Sequence, residues 1–315
     1  MNAIPVIDIS TIDTPQGRKQ AAAAIYDAIV DAGFFQIVGH GVPMELIDRA
    51  YAMYDNLFDR PDEYKEALES PNGNPFRGYF RAERAANAGS RVESYEIASI
   101  ATPEEAQGLG IDPAFTDFFE PWTWPDIDGF ADTLLELRDR TRGVGATVMS
   151  LFATALGLPD NYFTRYVATD GSNFMCRYYS TTSAVTDQNV LLDEHQDSGM
   201  LTVLHQRGTY EGLQVLCRDG ERITVPVRDD AYVINVGRLM TRWTNDLFPS
   251  TPHRVIDAPT ADDFRRSIVL FYMPSPDAVI TPIARCVGAD GPHYEPITPY
   301  EAQKIPAKEL QEYGN

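Results

Sequence analysis

Cysteine is scarce in this sequence: three residues among 315, at positions 176, 217 and 286, with no Cys-x-x-Cys spacing. A dispersed, odd-numbered set argues against both a disulfide framework and a thiolate zinc site, and predicts reduced residues in the core. Basic residues are also short, 26 Lys and Arg against 46 Asp and Glu, for a net charge of −20. A field of that sign repels phosphodiesters and anionic lipid unless a basic cluster overrides it, and no such cluster occurs. Neither nucleic acid nor membrane is therefore an expected partner. No segment approaches the roughly 18–20 consecutive apolar residues that span a bilayer, and Met1–Pro5 lacks the basic and apolar regions of a secretion signal. The expectation is a soluble, cytoplasmic protein. What is present in quantity is core-forming material, 43% hydrophobic and 11% aromatic residues, enough for one large domain or two modest ones.

The first half reads mainly as helix. Thr14-Pro15 supplies a start signal, Ile25, Ala28, Ile29 and Ala32 form an apolar stripe, and Gly33 stands where a C-cap belongs. Phe34–Val38 reads as a buried strand, followed by a turn around His40 and a second amphipathic helix through Leu46, Ala50, Tyr54 and Phe58. Phe130 to Ala155 predicts one long helix ending near Gly157-Leu158-Pro159, although Gly143 and Gly145 weaken its middle. After about residue 170 the texture changes to short strands: Phe174–Tyr179, Leu201–Gln206, Leu213–Cys217, Ile223–Val227, Tyr232–Val236, Pro252–Ile256 and Ser267–Tyr272, with Asp219-Gly220 as a hairpin signal. Many short strands at such spacing predict a barrel or a double-sheet jelly roll.

Histidine is scarce as well, five in all: His40, His195, His205, His253 and His293. One His-x-Asp pair occurs, His195-Gln196-Asp197. In extended backbone, residues two apart point the same way, so this pair can present an imidazole and a carboxylate together at a strand end. His253, at the start of another candidate strand, is the natural third ligand. Two histidines and one carboxylate on one face of an octahedral metal leave three positions open, which suits an iron that binds a co-substrate and dioxygen together. A structural zinc would close its shell with four ligands. His205, inside an apolar run, reads as a hydrogen-bonded structural residue, and His40 as serving its turn.

Arg265-Arg266-Ser267 opens the last candidate strand. Alternation puts one arginine on each face, and an inward guanidinium requires an anion. If the inward residue is Arg265, Ser267 shares its face and the two can grip a ligand carboxylate. Periodicity alone does not choose between the two arginines.

The ordered set His195-x-Asp197, His253 and Arg265-x-Ser267 resembles the iron(II)/2-oxoglutarate-dependent dioxygenases, specifically the isopenicillin N synthase-like branch. Gly33–Pro43 looks like that branch's N-terminal signature, Arg77-Gly78-Tyr79 like its next landmark, and Asn235-Val236-Gly237 and His253-Arg254-Val255 like its core segments. The resemblance spans nearly the whole chain. It implies an α+β protein with a mainly β core, a distorted double-stranded β-helix or jelly-roll barrel flanked by helices. Residues 1–165 would form a mainly helical region packed on the barrel, 166–285 the oxygenase core, and 286–315 a segment closing the pocket. Iron(II) would be held by His195, Asp197 and His253, with 2-oxoglutarate and O2 as co-substrates. The far carboxylate of 2-oxoglutarate would meet Arg265 and Ser267, with Tyr179 matching the tyrosine of the family's Tyr-Pro segment. Oxidative decarboxylation to succinate and carbon dioxide would then drive hydroxylation, desaturation or ring formation on a small molecule, plausibly in specialised metabolism such as antibiotic biosynthesis. An oxidase that dispenses with 2-oxoglutarate, and a non-catalytic ligand-binding barrel, are the alternatives. Three positions depart from the family pattern: Gln196 replaces a threonine, Ser180 a proline, and Arg238 a common acidic residue. Phe76, Tyr79, Arg81 and Tyr300 are pocket candidates by analogy. The sequence carries no signal for oligomeric state.

Overall fold

The computed structural model describes residues 3–74, 76–83, 91–116, 119–180, 190–218, 220–260 and 262–304. Its strands are β1 (Val6–Asp8), β2 (Phe34–Val38), β3 (Gly78–Glu83), β4 (Arg91–Ala98), β5 (Asn173–Ser180), β6 (Val190–His195), β7 (Leu201–Gly208), β8 (Leu213–Leu216), β9 (Arg222–Thr224), β10 (Tyr232–Val236), β11 (His253–Ile256) and β12 (Arg265–Tyr272). The helices are α1 (Pro15–Ala32), α2 (Met44–Phe58), α3 (Asp62–Glu66), α4 (Pro103–Gly108), α5 (Phe130–Ala155), α6 (Arg238–Trp243) and α7 (Pro299–Lys304).

Capping and apolar periodicity account for the long helices. The Thr14 hydroxyl accepts from Gly17 N–H, Pro15 occupies the first turn, and Gly33 closes α1 with its N–H on the Ile29 carbonyl. The expected stripe of α1 is buried and packs on α5, whose own face, including Leu134, Leu137, Val144, Val148 and Leu151, covers the main sheet. Gly145 has a packing reason: a Cβ there would press on the Tyr272 ring of β12 at 3.2 Å, so the missing side chain lets helix and sheet approach closely.

The strands form an eight-stranded sheet, in the order β1-β2-β10-β7-β12-β5-β4-β3, and a four-stranded sheet, β6-β11-β8-β9. Apart from the parallel β1–β2 pair, the ladders are antiparallel. A cavity lined from both sheets lies between them. Its apolar wall includes Phe34, Leu213, Val233 and Val255. This is the double-stranded β-helix architecture, built as two facing sheets; among the described residues no ladder joins them into a closed barrel.

All seven expected strands after residue 170 are present, with bounds shifted by a few residues, and β6 is added to them. β8 pairs with β9 across the expected hairpin, where Gly220 has a φ of +84° and Asp219 lies outside the described residues. β3 and β4 were not anticipated. β4 carries Glu93, Ser94 and Glu96 buried in the sheet, and polar residues facing inward erase the alternation by which strands are read. No helix among the described residues is long and apolar enough to cross a membrane.

Candidate metal centre and co-substrate pocket

β6 ends at His195, β11 begins at His253, and their antiparallel pairing sets the two residues directly opposite each other. The imidazole centroids lie 4.3 Å apart. Asp197, just beyond β6, puts its Oδ1 3.8 Å from Nε2 of each histidine. One donor atom from each residue falls within 4.8 Å of the other two, the one such cluster among the described residues.

Neighbouring backbone fixes which nitrogen is offered. His195 Nδ1 is 2.8 Å from the Asp193 carbonyl and His253 Nδ1 is 3.1 Å from the Thr251 carbonyl. A carbonyl only accepts, so Nδ1 carries the proton and each Nε2 lone pair points at the common centre. Burial, then the neighbouring His253 ring, lowers the His195 pKa and favours the neutral ligand form. The carboxylate is aimed in the same way. Asp197 Oδ2 accepts from the Thr202 hydroxyl at 2.5 Å and from Asn235 Nδ2 at 2.7 Å, which leaves Oδ1 for the centre. Burial pushes the Asp197 pKa up, but His253, His195 and these two donors outweigh it and keep it below the ordinary carboxylate value. Thr202 on β7 and Asn235 on β10 are cross-strand partners, so a single sheet position supplies both donors. Gly237 lets the chain after β10 pass against the ligand loop: a Cβ there would come within 2.8 Å of the Asp197 carbonyl and closer still to that of Gly199.

The structure decides between the two arginines. Arg266 points outward, where its guanidinium meets Asp55 of α2 at 2.5 Å. Arg265 points into the cavity and is 1% exposed. None of its three guanidinium nitrogens has a hydrogen-bond partner, and its charge rests over the Tyr179 ring, 4.8 Å from the centroid. Ser267, on the same face, has a buried hydroxyl without a partner and lines the same cavity as His195, Asp197 and His253. Burial raises the Tyr179 phenol, but the guanidinium groups of Arg265 and Arg177 outweigh it and hold its pKa below the usual tyrosine value.

All six expected site residues therefore line or border one cavity. Thr202, Asn235, Arg177 and the Phe34 edge packed 5.1 Å from the His253 ring were not assigned roles in advance. A polar residue in an otherwise apolar strand, as Asn235 is in Tyr232–Val236, was the available signal. His205 is structural, as expected: it is buried, with Nδ1 on the Tyr51 hydroxyl at 3.0 Å and Nε2 on the Asp229 carbonyl at 2.9 Å. His40 Nδ1 accepts from Val42 N–H in its own turn. The four residues suggested by analogy do not line the cavity: Tyr79 bonds Glu93, Arg81 pairs with Asp62, Tyr300 packs on Phe115, and Phe76 is exposed.

The donor set and the unpaired cation fit an iron(II) ion with a dicarboxylate co-substrate. Two neutral imidazoles and one carboxylate on one face leave open positions, and Arg265 lacks an anion. A divalent metal with a doubly negative co-substrate adds no net charge to a buried site.

Comparison with known proteins agrees. Residues 4–126 match the family model for the N-terminal part of a non-haem dioxygenase of morphine synthesis, and residues 171–274 that of the 2OG-Fe(II) oxygenase superfamily. The chain is 29% identical to the 2-oxoglutarate-dependent dioxygenase frbJ of a Dothideomycetidae species, over 88% of this chain and 76% of that protein. It is 30% identical to a probable iron/ascorbate oxidoreductase of Dictyostelium discoideum, over 86% of this chain and 81% of that one. Among solved structures, a full-length Neurospora crassa protein in complex with alpha-KG superposes with a TM-score of 0.83 at 25% identity, covering 98% of this chain and 96% of the other. The chain belongs to the 2OG-Fe(II) oxygenase superfamily. It is an iron(II)- and 2-oxoglutarate-dependent dioxygenase.

Proposed function

We propose that His195, Asp197 and His253 hold the iron, that Arg265 and Ser267 receive the far carboxylate of 2-oxoglutarate, and that Tyr179 orients that end of the co-substrate. The observation that carries this reading is the buried Arg265 guanidinium, unpartnered on all three nitrogens and facing the same cavity as the two imidazoles and the carboxylate. A planar guanidinium matches a carboxylate with two parallel hydrogen bonds, and the Ser267 hydroxyl can donate a third.

When bound, iron with 2-oxoglutarate and dioxygen supplies an oxidant strong enough to attack an unactivated C–H bond, with succinate and carbon dioxide released. The chain supplies geometry and exclusion of water. Thr202 and Asn235 keep Asp197 Oδ2 occupied, so Oδ1 is the oxygen that would be offered to a metal. The Asp193 and Thr251 carbonyls hold both imidazoles in the tautomer that offers Nε2. Phe34, Leu204, Val233, Val255 and Val269 form a dry wall around the pocket.

The substrate in this reading is a small organic molecule, and the reaction a hydroxylation, desaturation or ring closure in specialised metabolism, in a cytoplasmic setting. The family model's association with morphine synthesis supports the placement in specialised metabolism. Residues 166–285 would carry the chemistry, 1–165 would pack against them, and 286–315 would close the pocket. Tyr294 lines a cavity beside the metal loop together with Gln196, which supports the last assignment. The test is succinate release from 2-oxoglutarate by the iron-loaded protein. Release above the metal-free blank, abolished in Asp197→Ala, supports the reading. Oxygen consumption with a substrate but without 2-oxoglutarate would overturn the co-substrate assignment.

A further inference from the structure

A second cavity, with room of about 230 Å3, shares a wall with the metal centre. Gln196, between two proposed metal ligands, lines it together with Arg238, Arg242, Asp246, Ser250 and Tyr294. Arg238 and Arg242 are one helical turn apart on α6, so both guanidinium groups occupy one face. The backbone ties this helix to the metal loop, with Arg238 N–H donating to the Asp197 carbonyl at 2.8 Å. In a chain of net charge −20, two arginines turned into one cavity are conspicuous.

Their polar groups are incompletely used. Nε of Arg238, Nε of Arg242 and the Ser250 hydroxyl are buried without a hydrogen-bond partner, and Arg242 and Ser250 are each only 8% exposed. Arg242 lies over the Tyr294 ring at 4.5 Å and gives one bond, at 3.2 Å, to the Glu295 carbonyl. The acid in the cavity acts on Arg242 through its charge but gives neither arginine a hydrogen bond, because its oxygens are engaged: Asp246 Oδ2 meets His293 Nδ1 at 2.6 Å and Oδ1 accepts from the Tyr294 hydroxyl at 2.5 Å. Asn245 and Asp246 both have positive φ, 51° and 71°. That is a costly conformation for non-glycine residues, and such strain gathers at functional sites. Here it lets Asn245 accept from His293 N–H while Asp246 holds the side chains of His293 and Tyr294 beside the cavity.

We infer that this cavity is the anchor for a carboxylate on the substrate, held by Arg238 and Arg242 with the Ser250 hydroxyl, so that the enzyme oxidises a small carboxylic acid. The inference rests on the metal-centre reading above and specifies its substrate class. Counting the Asp246 carboxylate, the two guanidinium groups leave a surplus of one positive charge in the cavity, which a singly charged acid balances and a phosphate dianion exceeds. The anchored end would stand beyond the 195–197 backbone, with the remainder of the molecule extending towards the iron. Gln196 and Arg238, two of the three departures from the family pattern, both belong to this cavity.

The test titrates 4-phenylbutyrate, 4-phenylbutyramide and phenyl phosphate by calorimetry into protein loaded with nickel(II) and saturating 2-oxoglutarate, so that Arg265 is already engaged. The acid should bind at least tenfold tighter than the amide and tighter than phenyl phosphate. Arg238→Gln and Arg242→Gln should each weaken the acid at least tenfold while the amide moves less than twofold. Because Arg242 is buried, Arg242→Lys serves as a companion that keeps the charge without the planar fork, and should fall between wild type and Arg242→Gln. Repeating the acid and amide titrations in metal-free Arg265→Met separates this inference from the metal reading: if 2-oxoglutarate fails to bind the loaded wild type, the preference for the acid must still appear in that variant. Equal binding of acid and amide, a preference that survives both glutamine substitutions, or one that disappears in Arg265→Met would overturn the inference. Phenyl phosphate binding as tightly as the acid would overturn the assignment to a monoanion.

Discussion

Replacing Arg265 with methionine should make the unliganded protein more stable and the co-substrate complex weaker, and the opposite signs make the pair of measurements decisive. In the unliganded protein the guanidinium is 1% exposed and lacks a hydrogen bond on all three nitrogens. Burying an ion without a partner costs several kcal/mol, from which the Tyr179 face at 4.8 Å recovers about 0.5–2 kcal/mol. Methionine fills much of the same volume without charge, so Arg265→Met should raise the unfolding free energy of the metal-free protein by about 1–3 kcal/mol. With 2-oxoglutarate present the balance reverses. Losing one partner of a buried, hydrogen-bonded charge pair costs about 2–5 kcal/mol, or roughly 30-fold to several thousandfold in affinity. Wild type at a hundred times its dissociation constant gains about 2.7 kcal/mol from the ligand, and the variant should gain less than about 1 kcal/mol at the same concentration. Urea unfolding with and without metal and 2-oxoglutarate, together with a calorimetric 2-oxoglutarate titration, reads both effects. A variant that is less stable when unliganded and binds 2-oxoglutarate as wild type does would refute the reasoning.

Asn235→Leu removes a donor from Asp197 Oδ2 and should weaken metal affinity by about 10–100-fold, measured by competition with a chelator. His205 has its pKa lowered to about 4, chiefly by burial, so the unfolded state binds more protons between that value and the ordinary 6.5. Its contribution is therefore complete above about pH 6.5 and is lost as pH falls towards 4, about 2 kcal/mol between pH 7 and 5. His205→Gln should flatten that slope in urea unfolding, and an unchanged slope would count against a neutral buried imidazole. Glu96 lies the other way: burial raises its pKa to about 8, partly offset by Arg77 and Arg177. The folded state holds its proton where the unfolded state has lost it, so stability falls as pH rises from 4.5 to 8. Glu96→Gln should stabilise the protein by up to about 3 kcal/mol at pH 7, and equal stability of the two proteins would contradict a protonated Glu96.

The cluster of His195, Asp197 and His253 was legible in the sequence because extended backbone converts His195-x-Asp197 directly into a shared direction, and because so few histidines compete for the third place. The long helices were legible from Thr14, Gly33 and the apolar stripes. The choice of Arg265 over Arg266 was not, since strand periodicity is symmetric between faces; it was settled by Asp55, which arrives from α2 more than two hundred residues away in sequence. Thr202 and Asn235 escaped for a related reason: their task, holding one oxygen of Asp197, exists only once β7 and β10 pair. β4 was hidden by its own buried acids, because a strand carrying Glu93 and Glu96 towards partners supplied by other segments has no local pattern to read.

The central claim is that His195, Asp197 and His253 together hold one metal ion. Anaerobic calorimetric titration of iron(II) into wild type, Asp197→Ala and His253→Ala, with circular dichroism to confirm that all three are folded, tests it directly. The account predicts one ion per chain in wild type and an affinity at least about a hundredfold weaker in each variant. Either variant binding one ion with wild-type affinity would contradict it.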